Sequence, residues 1–222
     1  MKKLLTLFVV LAGLQTSFAQ RMRVLEHYAL SYGFDKKTNV PSFMYAQSLV
    51  MGKNHNFAVG AGVRITSFFN VGQPYNGFET KNKGVNIIPY PRANSTTFNI
   101  PVMFELHAQK VMIGASFDII GLGFGRKRDS VTVISSSSQR IDSVSATPTR
   151  VNLAFGGRGT TNNEIYIGFK PQSELTIRAG VCFMYSQYNA SYRKNGKDVD
   201  FGRFRYDVPW MPFVSIVFNF ER

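Results

Sequence analysis

The alternation of apolar and polar residues is the main structural signal in this sequence. Between 97 and 122, apolar residues occupy every second position, with one short break at 108–110. A period of two on both sides of a tight turn predicts an antiparallel β-hairpin with one apolar and one polar face. A water-soluble sandwich buries the apolar face. A membrane barrel turns it to lipid, on strands of about 9–11 residues.

The same alternation recurs along the chain and predicts eight strands in total. These strands are 24–34, 42–51, 57–68, 97–107, 111–119, 164–169, 175–185 and 205–220. In the last strand, Val208 and Trp210 are expected to share a face with Val214 and Ile216. The connections 52–56, 108–110 and 170–174 are short, whereas 35–41, 69–96, 123–161 and 191–204 are longer.

Alternation of short and long connections with an even strand count is typical of outer-membrane barrels. The predicted fold is therefore all-β: an eight-stranded antiparallel up-and-down transmembrane β-barrel with short periplasmic turns and long extracellular loops. Within one long loop, 129–134 and 140–144 flank a serine run at 135–138 and predict a polar hairpin outside the main sheet. Pro101 and Pro212 each remove a ladder donor inside a strand, which predicts bulges there or breaks near the barrel rim.

The first 19 residues have the features of a secretory signal peptide. Lys2 and Lys3 precede an apolar segment at 4–14, and Ser17-Phe18-Ala19 fits a signal-peptidase cleavage site. Residues 1–19 are thus predicted to be a signal peptide and 20–222 the barrel domain, exported from the cytoplasm. The single cysteine, Cys182, leaves no partner for an internal disulfide.

Three segments give the sequence a family resemblance. They are Asn99-Ile100-Pro101-Val102 at the start of one strand, the glycine-containing strand after the 108–110 turn, and Val217-Phe218-Asn219-Phe220 near the C-terminus. The chain resembles small outer-membrane β-barrel proteins of the PorT-like and OmpX-like kind. A terminal strand with an aromatic end resembles the signal read by the barrel-assembly machinery, although Glu221 and Arg222 follow it here. The resemblance implies an integral protein in the outer membrane of a Gram-negative-type bacterium.

The chain is strongly basic, with a formal net charge of +13, and most of the excess lies in the long connections. Arginine and lysine bind phosphate through charge-assisted hydrogen bonds. The basic loops therefore predict contacts with phosphates of outer-membrane lipid and glycolipid, or with an envelope protein partner. The alternative is that they are only solvated. Nucleic-acid binding is not expected, since no recognition motif accompanies the charge. The residues predicted to contact lipid phosphates at the outer rim are Arg126, Lys127, Arg128, Arg193, Lys194 and Lys197.

Charged residues also occur on the polar face of the predicted strands. Buried charges are costly unless they are paired, so they are expected to form a salt-bridge network that fills the lumen. Counting from the short turns pairs Arg178 with Glu105 and Arg64 with Asp118. An ion path is the alternative. The predicted lumen network comprises Arg64, Glu105, Asp118, Glu164 and Arg178.

The sequence offers little for catalysis. Ser31 near His27, and Glu105 near His107, are the only candidate pairs, and neither completes a Ser–His–carboxylate triad. No catalytic residue, cofactor or metal site is therefore predicted, and the chain is expected not to be an enzyme. The alternative function is a lipid-modifying enzyme of the lipid A acyl hydrolase or acyltransferase type. A third interpretation is a soluble periplasmic ligand carrier.

Two short motifs predict a modification. Asp129-Ser130-Val131 and Asp142-Ser143-Val144 resemble an Asp-Ser/Thr-apolar acceptor for bacterial O-glycosylation, which makes Ser130 and Ser143 candidate sites. The alternative is that both are ordinary polar residues of the hairpin.

Overall fold

The computed structural model describes residues 23–52, 55–78, 86–89, 92–135, 140–154, 157–194 and 197–221. In these ranges the chain forms one antiparallel sheet of thirteen strands. No helix in the described ranges is long and apolar enough to cross a membrane. The strands are β1 (Arg23–Asp35), β2 (Thr38–Met51), β3 (Phe57–Val71), β4 (Pro74–Gly77), β5 (Asn86–Pro89), β6 (Arg92–Ala108), β7 (Val111–Phe124), β8 (Arg128–Ser135), β9 (Arg140–Pro148), β10 (Val151–Leu153), β11 (Thr161–Gln172), β12 (Leu175–Lys194) and β13 (Lys197–Glu221).

The long strands pair in a closed circuit. Going around it, β1 is followed by β2, β3, β6, β7, β11, β12 and β13, and β13 pairs again with β1. We call this circuit the wide ring. Because the circuit is closed, each of these strands pairs with a neighbour on both sides. Closure thus removes the free strand edge at which sheets usually aggregate.

The wide ring is apolar on its outside. Leu106 and Ile167 are each 60% exposed, and Ile216 is 49% exposed. The residues between them in each strand point to the axis and include the buried Arg64 and Glu105. Because side chains alternate across a strand, each strand contributes to both the apolar wall and the polar filling.

A second circuit lies at the end of the wide ring where the long connections are. There β12 pairs with β9, β9 with β8, β8 with β5, β5 with β4, and β4 with β13. Since β12 and β13 also pair with each other, these six strands close a narrow ring. The two long connections therefore supply strands of their own to the sheet.

The narrow ring has the opposite polarity to the wide ring, because its inside is apolar. Tyr75, Ile88, Val133 and Phe204 are fully buried in one cluster with neighbouring apolar residues. Its outside carries exposed polar side chains such as Asn76 and Asn189, together with the exposed apolar pair Ile87 and Ile134. This is the polarity of an ordinary water-soluble fold.

Strand β12 changes polarity without changing direction. In its first half the apolar Ile177 points outward and Arg178 inward, whereas in its second half Tyr188 points inward and Asn189 outward. From Thr176 to Ala190 the even-numbered residues face inward. The change therefore results from the residue types and not from a twist of the backbone.

Strand β13 needs a bulge to make the same transition. Its pairing with β12 moves from Cys182–Met211 to Met184–Val208, which leaves an extra residue on β13. Trp210 lies there with a φ of 77° and is 68% exposed, while Val208 is buried. The expectation that Val208 and Trp210 share a face is therefore wrong, because the bulge shifts the alternation by one residue.

The predicted bulge at Pro101 is confirmed by the register shift between Ile100 and Pro101. Pro212 instead pairs regularly with Val181, and the irregularity lies nearer the long connections. A missing N–H is tolerated where the ladder is already interrupted, as at Pro101.

Several expectations about strands and connections are wrong. The sheet has thirteen strands instead of eight, because the long connections fold into β4, β5, β8, β9 and β10. The 128–148 hairpin belongs to the sheet, since β9 pairs with β12. The expected loops 35–41 and 191–204 are largely strand. The serines at 136–138 and the signal peptide at 1–19 lie outside the described residues.

Candidate functional site

A guanidinium group occupies the middle of the wide ring. Arg64 of β3 is 1% exposed and forms ion pairs with Asp118 at 3.2 Å and Glu164 at 3.1 Å. It also donates to the Ser116 hydroxyl and the Asn162 carbonyl. The positive charge of Arg64 is thus balanced by two carboxylates, and these contacts connect β3, β7 and β11 across the ring.

The two carboxylates have further donors. Asp118 accepts hydrogen bonds from the Asn99 amide at 2.6 Å and from the Asn162 backbone N–H at 2.8 Å. Glu164 accepts one from the Asn162 side chain at 3.1 Å. Because removal from water makes each unpaired charge expensive, these donors are needed to keep the carboxylates inside the sheet.

A second charged cluster lies nearer the short turns. Glu105 of β6 pairs with Arg178 at 2.7 Å and accepts the Tyr166 hydroxyl at 2.8 Å. The guanidinium carbon of Arg178 lies 4.6 Å from the centre of the Tyr166 ring. A Cβ atom on Gly114 would lie only 2.5 Å from that ring, so a glycine is required for the tyrosine to fit.

The structure brings the five predicted lumen residues into these two clusters. Arg178 lies with Glu105, and Arg64 with Asp118, while Glu164 joins Arg64. At the edge of the second cluster, His107 bonds Glu105 at 2.9 Å, and Lys170 bonds His107 at 2.9 Å. His107 therefore belongs to a chain of polar groups running toward the short turns.

A Ser–His–Asn arrangement lies on the inner wall at the same end. His27 Nε2 is 2.6 Å from the Ser48 hydroxyl, and His27 Nδ1 is 2.8 Å from the Asn219 side-chain oxygen. Asn219 in turn donates to the Thr176 hydroxyl at 2.9 Å. With Nδ1 protonated toward Asn219, Nε2 is free to accept the Ser48 proton, as in a serine hydrolase.

Sequence reasoning missed Ser48 and Asn219 as partners of His27. The serine considered there, Ser31, instead donates to Ser215 at 2.9 Å. His27 is directly paired with Asn219 across β1 and β13, and this register cannot be read from either strand alone. Ser48 and His27 are only 2% and 1% exposed.

A cavity of about 490 Å³ opens at the short-turn end of the wide ring. It lies among polar side chains from several strands, including His107, Lys170 and Asn219. Asn219 is the one member of the Ser–His–Asn arrangement that lines it; Ser48 and His27 lie behind its wall. Arg23 and Glu221, which pair at 2.8 Å, lie at its margin.

The six predicted rim residues lie in two separate segments of the chain. Arg126 and Lys127 are exposed in the short segment between β7 and β8, and Arg128 begins β8. Arg193 and Lys197 are exposed near the tip of the β12–β13 hairpin. The side chain of Lys194 lies outside the described part of the structure.

Lys127 forms an ion pair with a residue close to it in the sequence. Its ammonium group lies 3.0 Å from Asp129, which also accepts the Ser145 hydroxyl at 2.9 Å. These two hydrogen bonds hold the pKa of Asp129 below its ordinary value. Ser130 and Ser143 lie on β8 and β9, but their side chains are outside the described structure, so their modification stays a prediction.

A second cavity, of about 480 Å³, lies at the long-connection end. Its walls come from β9, β10, β12 and β13 and carry two arginines that the sequence analysis did not single out, Arg150 and Arg158. Polar side chains of β12, including Asn189 and Ser191, line the opposite wall. Among the described residues that line it, Asp200 is the acidic one.

The described residues contain no group of three or more His, Cys, Asp or Glu side chains placed to hold a metal ion. Cys182 is a buried free thiol that donates to the Met211 carbonyl at 3.3 Å. It belongs to the same buried apolar cluster as Tyr75 and Phe204.

No protein-family model and no curated protein matches the sequence. Among solved structures, the chain is similar to the outer membrane protein Ail of Yersinia pestis in a phospholipid bilayer nanodisc, at 10% identity over 90% of this chain and 100% of that chain, with a TM-score of 0.39. It is similar to a major outer membrane protein from Thermus thermophilus, at 8% identity over 90% and 100% of the two chains and a TM-score of 0.34. It is also similar to the outer membrane protease OmpT from Escherichia coli, at 6% identity over 90% and 95% and a TM-score of 0.34. At these identities and TM-scores the similarities assign neither a family nor a role to this chain.

Replacing Arg64 with glutamine should strongly destabilise the protein. Asp118 and Glu164 would be left without their shared cation, and breaking a buried ion pair in this way costs about 3–5 kcal/mol. Adding Asp118→Asn and Glu164→Gln to that variant should recover part of the loss. The measurement is the free energy of unfolding by urea in a reconstituted bilayer.

The matched control is Arg23→Gln, which breaks the exposed pair with Glu221 and should cost less than about 1 kcal/mol. Equal losses in the two single variants would contradict the role assigned to Arg64.

Proposed function

We propose that the protein is an integral outer-membrane β-barrel without enzymatic activity. The eight strands of the wide ring cross the membrane, with the short turns on the periplasmic side. The narrow ring stands outside the cell. The protein acts through this outer part and its basic surface, in contact with surface lipid or an envelope protein partner.

The observation that carries the proposal is the reversal of polarity between the two rings. A continuous apolar outer wall with a charged interior suits a lipid surround, in which hydrocarbon faces hydrocarbon. The apolar interior of the narrow ring suits water outside. Because the two rings share β12 and β13, the boundary between lipid and water must cross these two strands.

Side chains that fill the axis of the wide ring favour a closed lumen over an ion path. Arg64, Asp118 and Glu164 are nearly completely buried, and their charges are used in pairs and hydrogen bonds. A barrel of about eight strands has an interior just wide enough for side chains to fill it. The proposed activity is therefore one of binding at the outer end.

The narrow ring supports a binding role because it is a folded unit and not a flexible loop. Its aromatic interior holds β4, β5, β8 and β9 in fixed positions. Arg205 illustrates how its surface is ordered: its guanidinium carbon lies 4.1 Å from the Tyr185 ring centre and 4.7 Å from that of Phe78. A rigid surface binds with a smaller loss of conformational entropy.

A second candidate function is ester hydrolysis, favoured by the Ser48–His27–Asn219 arrangement. The distances and the orienting contact from Thr176 match the roles of nucleophile, general base and orienting group. Burial opposes it, because a nucleophile that is 2% exposed offers little access to an ester. We therefore assign these residues a structural role in closing the β1–β2 and β1–β13 seams.

Substituting Leu30 with arginine should impair membrane insertion. The side chain is 59% exposed on the outer wall of the wide ring, near the middle of β1, and an arginine facing the bilayer midplane costs about 2–4 kcal/mol. Asn76→Arg, on the exposed outside of the narrow ring, adds the same charge and should insert like the wild type. Insertion is measured as the protease-protected fraction in lipid vesicles.

An equal reduction of insertion by both variants, or by neither, would contradict the proposed position of the membrane.

The role of Ser48 can be tested with a fluorophosphonate probe, which labels activated serine nucleophiles. The folded protein in bilayers should remain unlabelled, as should Ser48→Ala. Stoichiometric labelling of the wild type that is lost in both Ser48→Ala and His27→Gln would contradict the non-enzymatic assignment and support the hydrolase. Ser31→Ala, two inward positions along β1 from His27, serves as the matched control.

A further inference from the structure

The cavity at the long-connection end of the ring is lined by two arginines and lies beside the apolar outer wall. Arg150 and Arg158 both line it and both are exposed. Neither guanidinium has an ion pair or hydrogen bond to another residue in the described part of the chain. Arg64 and Arg178 in the wide ring, by contrast, are held in buried ion pairs, and Arg205 lies over two aromatic rings. Two guanidinium groups without partners on one concave surface create a positive potential there and can donate hydrogen bonds to an anion.

The remainder of the cavity wall supports binding of a polar anion. Thr147, Asn189 and Ser191 provide neutral groups with hydrogen-bonding capacity around the two arginines. The acidic member of the wall, Asp200, accepts a hydrogen bond from the Gly202 N–H at 2.8 Å. The two arginines outnumber this single carboxylate, so the wall keeps an excess of positive charge.

The position of the cavity relative to the apolar wall indicates what the anion is attached to. The Arg150 carbonyl accepts the Gly123 N–H at 2.7 Å, and Val151 pairs with Leu122. Leu122 and Phe124, on either side of Gly123, are 49% and 54% exposed on the outer wall of the wide ring. The arginines therefore lie directly beside the edge of the apolar surface.

We propose that this cavity binds the phosphate group of an anionic lipid of the outer leaflet. Arg150 and Arg158 hold the phosphate oxygens, while the acyl chains of the same lipid lie against Val151, Leu122 and Phe124. An amphiphile is chosen over a soluble anion because the charged and apolar surfaces are continuous at this point. The inference rests on the proposed outer-membrane function and adds the ligand class and the residues that hold it.

Arginine is the residue suited to this role. Its planar guanidinium can donate two parallel hydrogen bonds to one phosphate, whereas lysine supplies a point charge. Two such groups on one cavity can hold a phosphate from two sides. The predicted rim residues Arg193 and Lys197 lack this setting, because they lie near the hairpin tip, several residues beyond the apolar segment of β12.

The test is lipid retention measured by native mass spectrometry on the full chain reconstituted in nanodiscs. One set of discs contains a phosphorylated glycolipid, and the other contains the same glycolipid after enzymatic removal of its phosphate. The variants are Arg150→Gln with Arg158→Gln and, as the matched control, Arg193→Gln with Lys197→Gln. Both pairs remove two positive charges, and a competition arm adds inorganic phosphate to the wild type.

The wild type should retain the phosphorylated lipid. Replacing Arg150 and Arg158 should weaken this retention at least about tenfold, as expected for loss of charged hydrogen bonds. The control pair should retain it like the wild type, and inorganic phosphate at millimolar concentration should not displace it. Equal retention of the dephosphorylated lipid, equal loss in the control pair, or displacement by inorganic phosphate would each overturn the proposal.

Insertion is scored separately on the same samples by protease protection. Inserted protein that fails to retain the lipid overturns this inference and leaves the proposed function in place. Failure of the wild type to insert at all would contradict the proposed function itself.

Discussion

The alternation of side chains across a closed sheet is the constraint on which the rest of this structure depends. Once the long strands close into the wide ring, every residue must face either the axis or the outside. The sequence puts Ile177, Ile216 and similar residues outside and Arg64 and Glu105 inside, then reverses this order along β12 and β13. The bulge at Trp210 shifts the alternation of β13 by one residue at the point where the reversal occurs, and the two strands pair on both sides of it.

The interior chemistry follows from that arrangement. Charged groups directed at the axis of the wide ring are removed from water and must find partners there, which explains why Arg64 has two carboxylates and Glu105 has donors on several sides. His27 is held in the same way by Ser48 and Asn219. The interior is therefore occupied by mutual contacts, whereas the proposed phosphate ligands, Arg150 and Arg158, line a cavity at the long-connection end.

Much of the wide ring could be predicted from the sequence, because a period of two is a local property of each strand. The pairs of Arg178 with Glu105 and of Arg64 with Asp118 followed from their distances to the short turns. The narrow ring could not be predicted, because it joins segments far apart in the chain, such as Asn86 with Ser135 and Gly77 with Phe204. The partners of His27 were missed for the same reason, since the register between β1 and β13 is not encoded in either strand alone. Arg150 and Arg158 gave no sequence signal, since they resemble any other loop arginine until the fold places them on one cavity.

The most direct test of the account is a site-directed spin-label scan of outward-facing positions along β12 in a lipid bilayer. Labels at 177 and 181 should be relaxed mainly by oxygen, which concentrates in hydrocarbon, and labels at 189 and 193 mainly by a water-soluble paramagnetic complex. The change from one to the other should occur between 181 and 189. Uniform accessibility to the water-soluble complex at all four positions would contradict the account, because the apolar wall of the wide ring would then not face lipid.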